Sequence, residues 1–145
     1  KQKNAKSLED CDKITTEEQI TENQRTLKES CYLDVAELKG DKSICEMIKT
    51  DYRKELCYTN VVRVTGDTSI CEAHEDYTRK RDDCYEDIAI AKNDESFCAE
   101  INQDYAKRDD CYIIIAYKKG DTSICNTIEN RDWLRYHSYY DELCQ

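Results

Sequence analysis

Apolar positions along this chain recur at spacings of three and four residues, the spacing of amphipathic helices, and the whole pattern repeats every 26 or 27 residues. A first set of cysteines, Cys31, Cys57, Cys84 and Cys111, is followed in each case by a tyrosine (Tyr32, Tyr58, Tyr85, Tyr112). An aliphatic pair comes next: Val35 and Ala36, Val61 and Val62, Ile88 and Ala89, Ile115 and Ala116. Then stand Gly40, Gly66, Asn93 and Gly120, all three glycines of the chain plus the residue type that next best tolerates a positive φ. Asp41, Asp67, Asp94 and Asp121 follow, then Ser43, Ser69, Ser96 and Ser123. A second set of cysteines, Cys45, Cys71, Cys98 and Cys125, closes the pattern, each preceded by Ile44, Ile70, Phe97 or Ile124.

This column order predicts helix, stop, restart. Gly or Asn ends one helix in a left-handed residue, and an Asp or Ser oxygen caps the free amides of the next. Ser43 to Glu46 and Ser69 to Glu72 have the spacing of a capping box. Beyond the second-set cysteines an apolar residue recurs at Ile48, Ile101 and Ile128, with His74 as the exception. With no proline in the chain, the expected fold is all-α, built of short antiparallel helical hairpins. The ends follow the same scheme less regularly: Cys11 precedes Ile14 in the manner of the second set, and Glu142-Leu143-Cys144 matches Glu55-Leu56-Cys57 of the first. Stacked hairpins of about 27 residues make an α-solenoid of five modules. The expectation is one domain over 1–145, with an irregular N-terminal module at 1–30, regular repeats at 31–128 and an aromatic C-terminal cap at 129–145.

Composition complicates this picture. Leu, Ile, Val and Phe together number 25 of 145 residues, below the roughly 20% under which a highly charged chain usually stays disordered. Ten cysteines argue the other way. In a core this thin they read as disulfide staples and imply an oxidising, extracellular or cell-surface setting. Two pairings arise. Joining each first-set cysteine to the second-set cysteine after it leaves an axial mismatch of roughly 7 Å before the interhelical gap is added, against the Cα separation of about 4.4–6.8 Å that a disulfide needs. It also orphans Cys11 and Cys144. Joining each second-set cysteine to the next first-set one sets the sulfurs level across a turn and uses all ten, giving Cys11–Cys31, Cys45–Cys57, Cys71–Cys84, Cys98–Cys111 and Cys125–Cys144. This second pairing is the expected one. Each loop so closed stabilises by about 3 kcal/mol in the chain-entropy model.

Charge narrows the partners. Lys and Arg number 22 against 32 Asp and Glu, a formal net charge of −10, which argues against nucleic acid. No apolar run approaches the ~18 residues of a membrane span. The chain begins at Lys1 with no charged-then-apolar leader, so the expectation is that an export signal has already been removed.

The motif Cys-Tyr-x-x-(Val/Ile)-Ala followed by Gly/Asn-Asp-x-Ser-Ile-Cys resembles the tandem cysteine-rich helical repeats of uncharacterised secreted proteins, chiefly archaeal, over about residues 28 to 128. The general plan is similar to Sel1-like cysteine-rich repeat proteins, whose hairpins are each disulfide-linked, although their repeats are longer and place the two cysteines closer in sequence. Neither resemblance implies a catalytic residue.

Candidate chemistry is sparse. His74 sits in an apolar column and reads as a packed core residue. His137 lies among Trp133, Leu134, Tyr136, Tyr139 and Tyr140 with no second histidine nearby, which makes neither a metal site nor a catalytic pair. No Cys-x-x-Cys occurs, so neither zinc nor haem attachment is expected. The Asp-x-Ser turns lack the ligand pattern of a calcium loop. Glu29, Glu55, Asp82, Asp109 and Glu142 recur two residues ahead of the first-set cysteines, most with a base just before them (Lys28, Lys54, Arg81, Arg108). A glycosidase-like carboxylate pair is conceivable, but an acid repeated in every module reads as structural, placed to favour helix N-termini through the dipole. No catalytic residue, cofactor or metal is therefore expected. The crowded aromatic tail reads either as a cap on the last hairpin or as an assembly interface formed by Trp133, Leu134, Tyr136, Tyr139 and Tyr140. Together these point to a non-enzymatic secreted structural protein that joins copies of itself head to tail in a filament or surface coat. The alternative is an extracellular module that binds a surface protein or glycan.

Overall fold

The structure, a computed structural model, describes residues 7–14, 21–73, 78–129 and 143–144. The described residues are helical, with no strand among them. Six α-helices span Leu8–Asp12 (α1), Glu22–Lys39 (α2), Asp51–Thr65 (α3), Ser69–Glu72 (α4), Thr78–Lys92 (α5) and Tyr105–Lys119 (α6). Three 3₁₀-helices, η1 at Lys42–Met47, η2 at Glu95–Glu100 and η3 at Thr122–Thr127, follow α2, α5 and α6.

The stops fall where the glycine and asparagine column places them. Gly40, Gly66 and Gly120 have φ of 63°, 71° and 65°, and Asn93 has 53°. After α2 the Gly40 amide donates to Glu37 O and the Asp41 amide to Ala36 O. The same pair of bonds recurs from Asn93 and Asp94 to Ile90 and Ala89, and from Gly120 and Asp121 to Tyr117 and Ala116. These are the two bonds of a Schellman ending, which needs a left-handed residue at that position. The restarts are capped by aspartate: Asp41, Asp94 and Asp121 accept from the amides of Ser43, Ser96 and Ser123.

The expected pairs of α-helices are not what restarts there. Each second-set cysteine lies in a six-residue 3₁₀-helix or, in α4, a single α-turn. A 3₁₀-helix eclipses residues i and i+3, so one side of it carries both the cysteine and the apolar residue three places on. Ile48, Ile101 and Ile128 end these helices in extended backbone and are buried. The capping boxes are elsewhere too. Ser7 with Asp10 and Thr21 with Gln24 form them at α1 and α2, whereas the Glu46 and Glu72 carboxylates are taken by tyrosine hydroxyls.

The chain divides into two compact units, 1–65 and 66–145. In the first, Arg53 bonds to Thr26 at 3.0 Å and Asn60 to Glu37 at 3.1 Å, so positions ascend together along both helices and α2 and α3 run parallel. In the second, Lys107 meets Glu86 and Lys118 reaches the Ile90 carbonyl, so α5 and α6 run parallel as well. The short helix is the return path between like-directed long ones, as in a series of hairpins each made of a long helix and the short one after it. Within each unit the aliphatic pairs of its repeats, Val35 and Ala36 and Val61 and Val62 in the first and Ile88 and Ala89 and Ile115 and Ala116 in the second, are buried with most of its cysteines.

Candidate functional site

Two polar arrangements recur with the repeat. The first surrounds the disulfides. Five cysteine pairs lie at bonding distance: Cys11–Cys31, Cys45–Cys57, Cys71–Cys84, Cys98–Cys111 and Cys125–Cys144, with Cα separations between 5.4 and 5.7 Å. They are the pairs that level sulfurs across a turn lead one to expect. Beside three of them the residue after each cysteine completes a second, hydrogen-bonded link. Tyr32 donates to Asp12 at 2.5 Å, Tyr58 to Glu46 and Tyr85 to Glu72. The base three residues before the first-set cysteine joins in: Lys28 lies 3.7 Å from Asp12, Lys54 3.3 Å from Glu46 and Arg81 3.1 Å from Glu72. Arg81 also stacks on the Tyr85 ring, 4.6 Å from its centroid. Each of these short helices is thus held to its long helix by a disulfide, a phenol and a cation that lie within about one turn of the long helix. Burial, reinforced by the carboxylate it bonds, pushes the Tyr58 and Tyr85 hydroxyls up to about 12. The tyrosine hydroxyl in turn holds Glu46 and Glu72 below the usual carboxylate range. In the fourth module Ala99 stands where the acid would be, and Arg108 pairs with Glu129 at 2.7 Å instead.

The second arrangement uses the repeated acids. Glu29, Asp82 and Asp109 are buried. Each lies within a long helix and binds backbone amides after the following short helix, which for Glu29 and Asp82 lead into the next long helix. Glu29 accepts from the amides of Lys49 at 2.9 Å and Thr50 at 3.1 Å, just before α3, and from the Arg53 guanidinium at 3.1 Å. Asp82 accepts from Gln103 at 3.1 Å and Asp104 at 2.9 Å, just before α6, and Asp109 from Glu129 at 3.4 Å. Burial pushes Glu29 up, but the bonds from Thr50, Lys49 and Arg53 outweigh it and hold the carboxyl below its ordinary range. Glu29 and Asp82 do serve helix N-termini, but those of the next long helix rather than their own. Aspartate is one methylene shorter than glutamate, and Asp82 shows the consequence. Its Oδ2 reaches the amides while the buried Oδ1 makes no hydrogen bond, with Arg81 3.7 Å away. Glu55 is exposed, and the segment it would cap lies outside the described residues.

Among the described residues no group of three or more His, Cys, Asp or Glu is arranged to hold a metal ion, and no helix is long and apolar enough to cross a membrane. His74, His137, Glu142 and the tail residues Trp133, Leu134, Tyr136, Tyr139 and Tyr140 lie outside the described residues. Comparison with protein-family models, with curated proteins and with solved structures finds no match to this chain. The tyrosine–carboxylate links are what sequence reasoning missed. Their signal was an acid directly after three second-set-type cysteines, Asp12, Glu46 and Glu72, read in two cases as helix caps.

Proposed function

We propose that this is a non-enzymatic, secreted structural protein, an α-solenoid of disulfide-stapled modules that serves as a self-assembling subunit of an extracellular filament or surface coat. The observation that carries this reading is where the repeated chemistry goes. The buried acids, the tyrosine hydroxyls and the bases beside the cysteines bond to one another or to backbone amides, as parts that hold a shape do. Five disulfides suit a protein that must persist outside the cell. Head-to-tail contact between unlike ends does not close and so propagates. The aromatic tail offers large rings with polar hydroxyls for such a joint. The test is electron microscopy of the purified protein at neutral pH, with the Trp133→Ala, Tyr136→Ala double variant beside it. Fibres from the parent and their loss in the folded double variant are expected. Monodisperse parent protein at high concentration, or fibres from both, would reject this assembly.

A second reading has its own support. Tyr52, Tyr105 and Tyr117 are all more than 60% exposed, and Tyr52 and Tyr105 each carry a guanidinium against the ring, at 5.2 and 4.9 Å. Exposed, braced aromatic rings suit a module that binds a surface protein or glycan, and monodisperse protein would favour that reading.

A further inference from the structure

The five bridges are not equally protected. Both cysteines of Cys45–Cys57 and of Cys98–Cys111 are completely buried, whereas Cys84 of Cys71–Cys84 and Cys144 of the longer-loop bridge Cys125–Cys144 are partly exposed. Cys45–Cys57, Cys71–Cys84 and Cys98–Cys111 close loops of nearly equal length, separations of 12, 13 and 13, so burial and local anchoring are what distinguish these three.

The anchoring of the Cys71 side is also the weakest. Cys71 lies in α4, four residues long, where the corresponding cysteines lie in six-residue helices. A single turn has no stability of its own. The N-terminal end of α4 is capped as in the other modules, by Asp67 accepting from the Ser69 amide at 3.0 Å, so the difference lies in its length and its C-terminal side. The other regular modules drive an isoleucine into the core three residues after this cysteine, Ile48, Ile101 and Ile128, each buried. Position 74 carries histidine instead. Within its unit α4 packs on α5, held through the disulfide and the Glu72 carboxylate that Tyr85 and Arg81 share.

We infer that Cys71–Cys84 is a redox-addressable latch, opened in the native state by a dithiol reductant while the buried bridges stay closed. Thiol–disulfide exchange needs a thiolate to approach a sulfur directly, and Cys84 is the side that admits one. The attacking thiolate bonds to Cys84 Sγ and the sulfur–sulfur bond breaks. Cys71 leaves as a thiolate and takes up a proton. The second thiol of the reductant then displaces Cys84, which leaves as a thiol. Two electrons pass to the protein, and the dithiol becomes a cyclic disulfide. With the latch open, α4 keeps the buried Ile70 and its hydrogen bonds to α5 but no covalent tie, and the start of the second unit is loosened while the staple of η1 on α3 and that of η2 on α6 remain.

The experiment is timed reduction of the full chain by dithiothreitol at neutral pH without denaturant, quenched by alkylation and read by peptide mapping. Cys71 and Cys84 should be alkylated faster than Cys45, Cys57, Cys98 and Cys111 by about tenfold or more, since the buried bridges must wait for wider unfolding. Far-ultraviolet circular dichroism should keep its helical signal over that interval. His74→Ile, which gives this module the isoleucine the other three carry at the corresponding position, should slow alkylation of Cys71 and Cys84 and leave the other four cysteines unchanged. Equal alkylation of all three bridges, or earlier alkylation of either buried one, overturns the inference. So does a folded His74→Ile variant whose Cys71–Cys84 bridge opens as fast as the parent's.

Discussion

Glu29 shows most directly how this chain couples one repeat to the next. Its carboxylate is buried in α2 and collects two backbone amides and a guanidinium that belong to the start of α3. Removing one member of a buried, hydrogen-bonded pair leaves the other desolvated and unmatched, which typically costs several kcal/mol. Glu29→Ala is therefore expected to destabilise the first unit by about 3 kcal/mol, read as a shift in the urea midpoint. Glu29→Gln, which keeps an acceptor for the amides but not the charge for Arg53, should fall between that variant and the parent. If Glu29→Ala unfolds at the parent's midpoint, the carboxylate is not what joins α2 to α3.

Residue-level chemistry in the sequence was legible where one residue type has one physical use. Gly40 and Asn93 announced left-handed backbone because few residues tolerate it, and the structure has it there. The acid at 46 was less legible. A glutamate three residues after a serine is a capping box if the segment is α-helical and a tyrosine acceptor if it is not, and the difference lies in a partner twelve residues away, Tyr58.

At the scale of elements, what the periodicity could not settle was the winding of the short helices. A six-residue stretch with two apolar sites fits one turn of either helix type. It is the cysteine and the isoleucine three residues on, both needing the core, that favour the tighter winding of η1, η2 and η3. With so few internal bonds, these elements depend on what ties them to the long helices, and that dependence has a pH signature. The Tyr58 and Tyr85 hydroxyls lose their protons at about 12 in the folded chain, against about 10 for an ordinary tyrosine. A group whose folded value is raised contributes its stability in full below the unfolded value and loses it as pH rises through the folded one. Stability should accordingly fall between about pH 10 and pH 12, where tyrosines of the unfolded chain ionise while Tyr58 and Tyr85, hydrogen-bonded to Glu46 and Glu72, still hold their protons. Urea unfolding across that range should show a steeper loss for the parent than for the Tyr58→Phe, Tyr85→Phe double variant. Equal slopes would mean that the tyrosines do not hold η1 and α4 in place.

At the scale of the whole molecule the net charge is unevenly shared. Residues 1–65 carry 12 Lys and Arg against 13 Asp and Glu, and residues 66–145 carry 10 against 19, so −9 of the −10 falls in the second unit. Some of that charge is matched locally: Lys107 lies 2.6 Å from Asp83 and 3.2 Å from Glu86, and Lys119 pairs with Glu95. Nine charges remain in excess, and their mutual repulsion opposes the compact state. Screening relieves repulsion between exposed charges once the Debye length shrinks from about 30 Å at 0.01 M salt to about 8 Å at 0.15 M. The first unit, nearly neutral, has little repulsion to relieve, and salt weakens its exposed ion pairs such as Lys13 with Glu9. Raising the salt over that range should therefore increase amide hydrogen-exchange protection along α5 and α6 while leaving α2 and α3 unchanged or slightly less protected. The opposite order, or one common response along the chain, would show that the two units do not respond separately and that the charge asymmetry is without effect on folding.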